Sequence, residues 1–162
     1  MKLWCGVDPG LKGAFSTVDE RGQIVDMTVM PLTPDGPDCR EIKRILMGWA
    51  RLATSGFHVA LEKGQTMPKQ GGVSVFNYGH GCGILYGIIA TLELPFTFVR
   101  PAAWTKVMHQ GTDDGEAKAR SLVAASRLWP IQTWLATGRC TKVHDGLVDA
   151  TLIAEWCRRT VG

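Results

Sequence analysis

Four acidic residues stand where an ordinary soluble fold has little use for them. Asp8 closes an apolar run from Leu3 to Val7, and Glu62 closes another, Val59-Ala60-Leu61. Asp145 and Asp149 lie four residues apart at the head of an apolar helical stretch. On a helix they share a face with an offset of about 40°. Carboxylates that converge repel one another unless a cation separates them. Oxygen-only ligands suit Mg²⁺, with Mn²⁺ able to substitute. Two such ions roughly 3.5–4 Å apart activate a water and stabilise the leaving oxygen of a phosphodiester. Metal-dependent phosphodiester hydrolysis is therefore the chemistry to which this set points. Taken singly, each acid also has a plainer role: Asp8 as a turn residue in Asp-Pro-Gly, Glu62 as a strand-end charge, Asp145 as a helix N-cap. Asp149 is harder to explain that way, because Leu147, Val148, Ala150, Ile153 and Ala154 around it are apolar and an unpaired buried aspartate is costly.

The elements that must position these acids can be read from periodicity and turn chemistry. Leu3 to Val7, Gly13 to Val18 and Ile24 to Met30 read as three strands, with Asp8-Pro9-Gly10 and Glu20-Arg21-Gly22 as the turns of a meander. A proline-rich loop (Pro31, Pro34, Pro37) leads to a helix with Asp38 as N-cap and Glu41 completing a capping box. Its apolar face is Ile42, Ile45, Leu46, Trp49, Leu52 and Ala53. His58 to Leu61 is a fourth strand, and a polar loop from Lys63 to Gly72 follows. A helix from about Ser74 to Leu92 carries Gly79, Gly83 and Gly87 on one face, which would let another backbone approach closely. Phe96 to Val99 is the fifth strand. Helices follow at Pro101 to Met108 and Gly115 to Trp129, then a loop from Pro130 to Val143 and a last helix from about Asp145 to Arg159. This order predicts an α/β fold: one mixed five-stranded sheet, antiparallel meander plus parallel strands, with helices on both faces. In such sheets ligands bind at the carboxyl ends of strands, where Asp8 and Glu62 fall.

Composition narrows the class. The 162 residues fit a single domain spanning 1–162, and the net charge of +3 is compatible with a polyanionic partner without demanding one. Five cysteines without paired spacing speak against a disulfide scaffold and for a reducing compartment. Asp8 comes too early to leave room for the apolar core of a signal peptide, and the longest apolar run falls short of the roughly 20 residues that span a bilayer. The expectation is a soluble protein of the cytoplasm, in a bacterial cell or a phage-infected host.

Three segments carry a resemblance to a known family. Gly6-Val7-Asp8-Pro9-Gly10 followed by Gly13-Ala14, Leu61-Glu62-Lys63 followed by a basic loop, and Val148-Asp149-Ala150-Thr151-Leu152-Ile153-Ala154 resemble, in that order, the acidic motifs of RuvC-like Holliday junction resolvases of the RNase H-like superfamily. The stretch from Lys69-Gln70-Gly71 through Phe76-Asn77-Tyr78-Gly79 to Pro101 and Trp104-Lys106 is closer to phage and plant chloroplast resolvases than to the bacterial prototype. The likeness runs from residue 3 to about residue 158. It implies an RNase H-like fold, a homodimer whose contact is the helix at 74 to 92, and a structure-selective endonuclease that cuts two strands of a four-way junction symmetrically, in DNA recombination, repair or phage DNA processing. The resemblance makes Asp8, Glu62, Asp145 and Asp149 the catalytic and metal-binding residues, with two Mg²⁺ per site and no nucleotide cofactor. The bacterial pattern usually spaces its last two metal-site residues by three, which here falls on Gly146, and glycine offers no ligand. Asp145, four before Asp149, is the expected fourth ligand, and His144 beside it is the alternative, orienting the attacking water.

Lys63, Lys69, Lys106, Lys118 and Arg120 are candidate phosphate contacts, against the plainer reading of solvated surface charge. Met67, Phe76 and Tyr78 are candidates to wedge or stack at the junction centre, though such aromatics also serve cores and interfaces. Neither His80-x-Cys82 nor Cys140-x₃-His144 completes a zinc site. The rival readings are another RNase H-like nuclease, such as ribonuclease H, and a junction-binding protein without catalysis.

Overall fold

A computed structural model describes residues 1–64, 71–113 and 115–162. Its main sheet has five strands in the order β3-β2-β1-β6-β7. They are β1 (Leu3–Asp8), β2 (Ala14–Val18), β3 (Ile24–Val29), β6 (Phe57–Glu62) and β7 (Phe96–Val99). β1 pairs antiparallel with β2 and parallel with β6, so the meander and the parallel half meet on β1. Between them, β4 (Leu32–Thr33) and β5 (Gly36–Pro37) form a small hairpin where the prolines alone suggest a loop.

Strand alternation divides the interior into two cores. Leu3, Cys5 and Val7 of β1 face Ile42, Leu46 and Trp49 of helix α1 (Cys39–Leu52) and Leu85 and Ile89 of α2 (Gly72–Thr91). Trp4 and Ala60 face the other way, toward α3 (Pro101–Met108), α4 (Ala117–Leu128) and α5 (Asp145–Thr160). Helices thus cover both faces, as the element order predicts.

Two capping expectations change. Asp38 caps α1, accepting from the amides of Arg40 and Glu41. The reciprocal half of the capping box is absent: Glu41 turns outward to Arg44, and the Asp38 amide donates to the Pro31 carbonyl instead. At α5 the N-cap is His144, whose Nδ1 accepts from the Leu147 amide at 3.3 Å, so Asp145 is the first helical residue and not the cap.

α5 crosses β1 with almost no gap. A Cβ at Gly6 would lie 2.0 Å from the Ala150 carbonyl oxygen and 2.4 Å from the Ala154 nitrogen, so only glycine allows this approach. Gly146 has the same role at the head of α5, where a Cβ would lie 2.5 Å from the Lys12 carbonyl oxygen. The position at three-residue spacing from Asp149 is filled by the β1–β2 turn, leaving no room for a ligand side chain.

Candidate active site

Asp8 ends β1 and Glu62 ends the neighbouring parallel strand β6, so both point off the same sheet edge. α5 brings Asp145 and Asp149 to that edge. Asp8, Asp145 and Asp149 line one cavity of about 340 Å³, together with Lys12, Lys118 and His144. Glu62 opens onto an adjoining groove between β6 and α2, with Lys63, Gly64, Tyr78 and Cys82.

The electrostatics bind the four acids into one system. Burial, then the charges of Glu62, Asp149 and Asp145, push the Asp8 carboxyl up to about 8. Burial likewise raises Asp149 to about 6, with Asp145 adding to the shift and the Ser121 hydroxyl opposing it as a donor. Glu62 is raised by burial and by Asp149, against the pull of a 2.6 Å hydrogen bond from the Trp104 indole Nε1–H. One oxygen of Asp149, Oδ1, is buried without a hydrogen-bond partner among the described residues. As they stand, no three His, Cys, Asp or Glu side chains among the described residues close into a metal-holding group. The Lys118 ammonium supplies the positive charge, 2.6 Å from Asp145 Oδ2.

The sequence-predicted basic and aromatic residues separate. Lys118 lines the acidic cavity beside Asp145. Lys63 and Lys106 are exposed, Lys63 beside Glu62 and Lys106 on α3. Arg120 is half-buried, its Nε donating to the Thr112 hydroxyl at 3.0 Å. Phe76 is 70% exposed and stacked on His80. Tyr78 is half-buried against Gly64, and burial together with the Cys82, Glu62 and Asp8 charges raises its phenol well above its ordinary value. Met67 and Lys69 lie outside the described residues.

No family model and no curated protein matches the chain by sequence. Solved structures do match. Thermus thermophilus RuvC in complex with a Holliday junction substrate superposes with a TM-score of 0.66 at 16% identity, covering 98% of this chain and 96% of that one. A second T. thermophilus RuvC structure gives 0.64 at 18%, with the same coverage. The yeast mitochondrial Holliday junction resolvase Ydc2 gives 0.57 at 13%, covering 96% of this chain and 77% of that chain. The fold is RNase H-like, of the RuvC type.

Within this RuvC-type frame, several residues at the site escape a sequence reading. Trp104 reaches Glu62 across 42 positions, a pairing that no local pattern announces. His109 Nε2 and Ser121 Oγ meet at 3.0 Å, both buried. Lys12 left a usable signal, since a basic residue two positions after Asp-Pro-Gly and directly before Gly13 must lie in the turn beside Asp8.

Proposed function

We propose that this chain is a divalent-metal-dependent endodeoxyribonuclease that resolves four-way DNA junctions as a homodimer, working in recombination, repair or phage DNA processing. The observation that carries the reading is the convergence of Asp8, Asp145 and Asp149 on one cavity, with Glu62 electrostatically coupled to Asp8, in a RuvC-type fold.

The residues present fit a divalent cation. An all-oxygen donor set, an Asp149 oxygen left without a partner, and an Asp8 carboxyl that holds its proton to about 8 are all features that a cation at this edge would resolve. Asp8, Glu62 and Asp149 would hold it, with Asp145 as fourth ligand once Lys118 releases it. When bound, the ion polarises the scissile phosphodiester and makes water more acidic. The chain's own groups do the remaining work. Trp104 fixes one Glu62 oxygen. Lys118 and Lys12 present positive charge to a phosphate entering the cavity. His144 accepts through Nδ1 from the α5 backbone, which leaves the proton on Nε2 in the neutral ring. It therefore serves as a donor to a phosphate oxygen or to the water, in place of abstracting a proton. Lys63, Lys69, Lys106 and Arg120 are the proposed outer phosphate contacts. Exposed Phe76 suits stacking at the junction centre better than Tyr78, with Met67 as a further wedge candidate.

The homodimer draws support from α2. Its 20 residues, Gly72–Thr91, include no Asp, Glu, Lys or Arg, yet only Gly81, Leu85 and Ile89 are buried. A Cβ at Gly79, Gly83 or Gly87 would meet nothing within 4 Å, so the glycine face is not used for packing within the described chain. A C₂ dimer would match a two-fold symmetric junction with one site per cut strand.

The test is cleavage of a labelled mobile four-way junction, a matched duplex and an RNA–DNA hybrid, with and without Mg²⁺. Paired symmetric nicks in the junction alone are expected. Asp8→Asn should lower them more than about 100-fold, beyond the 10–100-fold typical of changes outside the metal's ligands. Cutting of the hybrid but not the junction would make the protein a ribonuclease H. Tight junction binding without incision in Mg²⁺ or Mn²⁺ would make it a binding module.

A further inference from the structure

β7 and α3 hold Glu62 at two points. Glu62 pairs with Val99 at the end of β7, and the Val99 carbonyl accepts from the Lys63 amide at 2.7 Å. The backbone on the carboxyl side of Glu62 is thus tied to the neighbouring strand. Pro101, whose fixed φ suits the first turn of a helix, then opens α3 directly after β7. α3 brings Trp104 to the same acid, where the indole Nε1–H donates to Glu62 Oε2 at 2.6 Å. The ring has little freedom to swing away. It is 3% exposed, shares its core with Met108 and Val148, and meets His109 edge-on with centroids 5.6 Å apart.

The plain reading is a core tryptophan that has found an acceptor. This fold does not oblige its tryptophans to do so: the indole nitrogens of Trp4 and Trp134 are buried with no partner among the described residues. In either case the bond acts on Glu62. A donor to a carboxylate makes a short, charge-assisted hydrogen bond. It engages Oε2, fixes the torsion of the carboxyl plane, and leaves Oε1 as the oxygen to be offered. Asp149 is the contrast, since its Oδ1 is buried with no partner among the described residues.

Divalent ions differ in what they ask of such a carboxylate. Ca²⁺ takes roughly 6–8 oxygens in flexible geometry and accepts both oxygens of one carboxylate. Mg²⁺ demands a near-octahedral shell, and Mn²⁺ accepts the same all-oxygen octahedron. The narrow bite of a chelating carboxylate fits the first ion and strains the other two. We infer that Trp104 is a specificity-determining residue for the ion: by holding Oε2 it confines Glu62 to ligation through Oε1, which favours Mg²⁺ and Mn²⁺ over Ca²⁺. The inference rests on the reading of this edge as a divalent-cation site, and not on which nucleic acid the protein cuts.

The test is ion binding to the DNA-free protein, with free Mn²⁺ read by electron paramagnetic resonance, alone and in competition with Ca²⁺. Trp104→Phe keeps an aromatic ring in the core and removes the donor. It should lower Mn²⁺ affinity about 10-fold or more, while Ca²⁺ affinity holds or rises. In a Glu62→Ala background the same change should leave the Mn²⁺-to-Ca²⁺ ratio unmoved. Equal losses for both ions, or a shift in ratio that persists without Glu62, would mean that Trp104 acts by packing alone and would overturn the inference. A second measurement needs no variant. The Trp104 indole N–H resonance should keep its hydrogen-bonded, downfield position when Mg²⁺ saturates the protein, and its return to an unbonded position would show that Oε2 has gone to the ion. A parent protein that shows this selectivity but cuts no junction would lose the resolvase reading and keep the inference. Junction cleavage with an unchanged ion ratio in Trp104→Phe would do the reverse.

Discussion

Asp8 is the residue on which most of the site's energetics turn. Its carboxyl is raised from 3.8 to about 8, first by burial and then by the charges of Glu62, Asp149 and Asp145. A folded-state pKa above the unfolded value means that the native protein binds the proton more tightly between those two pH values. Stability therefore falls as pH rises from about 4 to about 8, and Asp149, raised to about 6, adds to the same trend. Thermal melts in chelator should show the midpoint dropping over this window. Asp8→Asn should flatten that drop and raise the midpoint at pH 8 by a few degrees, at about 2–4 °C per kcal/mol for a chain of this length. Mg²⁺ should restore the parent's midpoint and leave the variant's nearly unmoved. A midpoint that rises with pH would show that Lys118 already compensates the acids.

At the scale of elements, the site depends on how closely α5 lies on β1. Gly6 and Gly146 are the two places where backbone meets backbone. Gly6→Ala would drive a methyl group into the Ala150 carbonyl at 2.0 Å, so it should cost more than the ~1–3 kcal/mol usual for overpacking. Moving α5 would also displace Asp149 from Asp8, so cleavage should fall with stability. Gly48→Ala is the control: it sits on the exposed side of α1, a Cβ there meets nothing within 4 Å, and the change should stabilise by about 0.5–1 kcal/mol. Urea unfolding of the pair separates a general intolerance of alanine from the specific close approach. If Gly6→Ala unfolds at the parent's midpoint, the helix–strand packing is looser than described.

For the whole molecule, the proposed function divides the surface into a face for the junction and a face for the second copy. The chain carries +3 overall while the site edge is acidic, so under the proposed function DNA would be drawn by the lysines around that edge: Lys12, Lys63 and Lys118. The uncharged α2 lies to one side of them. A glutamate at Gly83 meets open space within the chain and so should leave the monomer folded, while placing a charge in the proposed dimer contact. Sedimentation should show a dimer for the parent and a monomer for Gly83→Glu. The paired nicks should then become single ones. A parent that sediments as a monomer at micromolar concentration and still makes paired nicks would remove the need for the α2 contact. Among the described residues no helix is long and apolar enough to cross a membrane.

The sheet was legible because its signals are local. Apolar runs ended by Asp-Pro-Gly and Glu-Arg-Gly turns gave the meander, and helical periodicity gave α1 and α5 with their boundaries close to those observed. The acids at strand ends followed from the same pattern, since a charge that ends a buried strand stays beside that strand's end wherever the sheet goes. Other features depended on contacts between distant residues. The β4–β5 hairpin needs a turn that three prolines obscure. His144 takes the N-cap that Asp145 could equally have filled, its side chain accepting from the Leu147 amide. Lys118 reads as any surface lysine until α4 is laid against α5, and only then is it 2.6 Å from Asp145. His109 and Ser121 carry no motif, and Trp104, though part of the resembling stretch, gives no sign of its bond to Glu62 42 positions away. Hydrogen bonds between residues far apart in the chain are fixed by how helices pack, and packing is decided by the whole set of side chains at once.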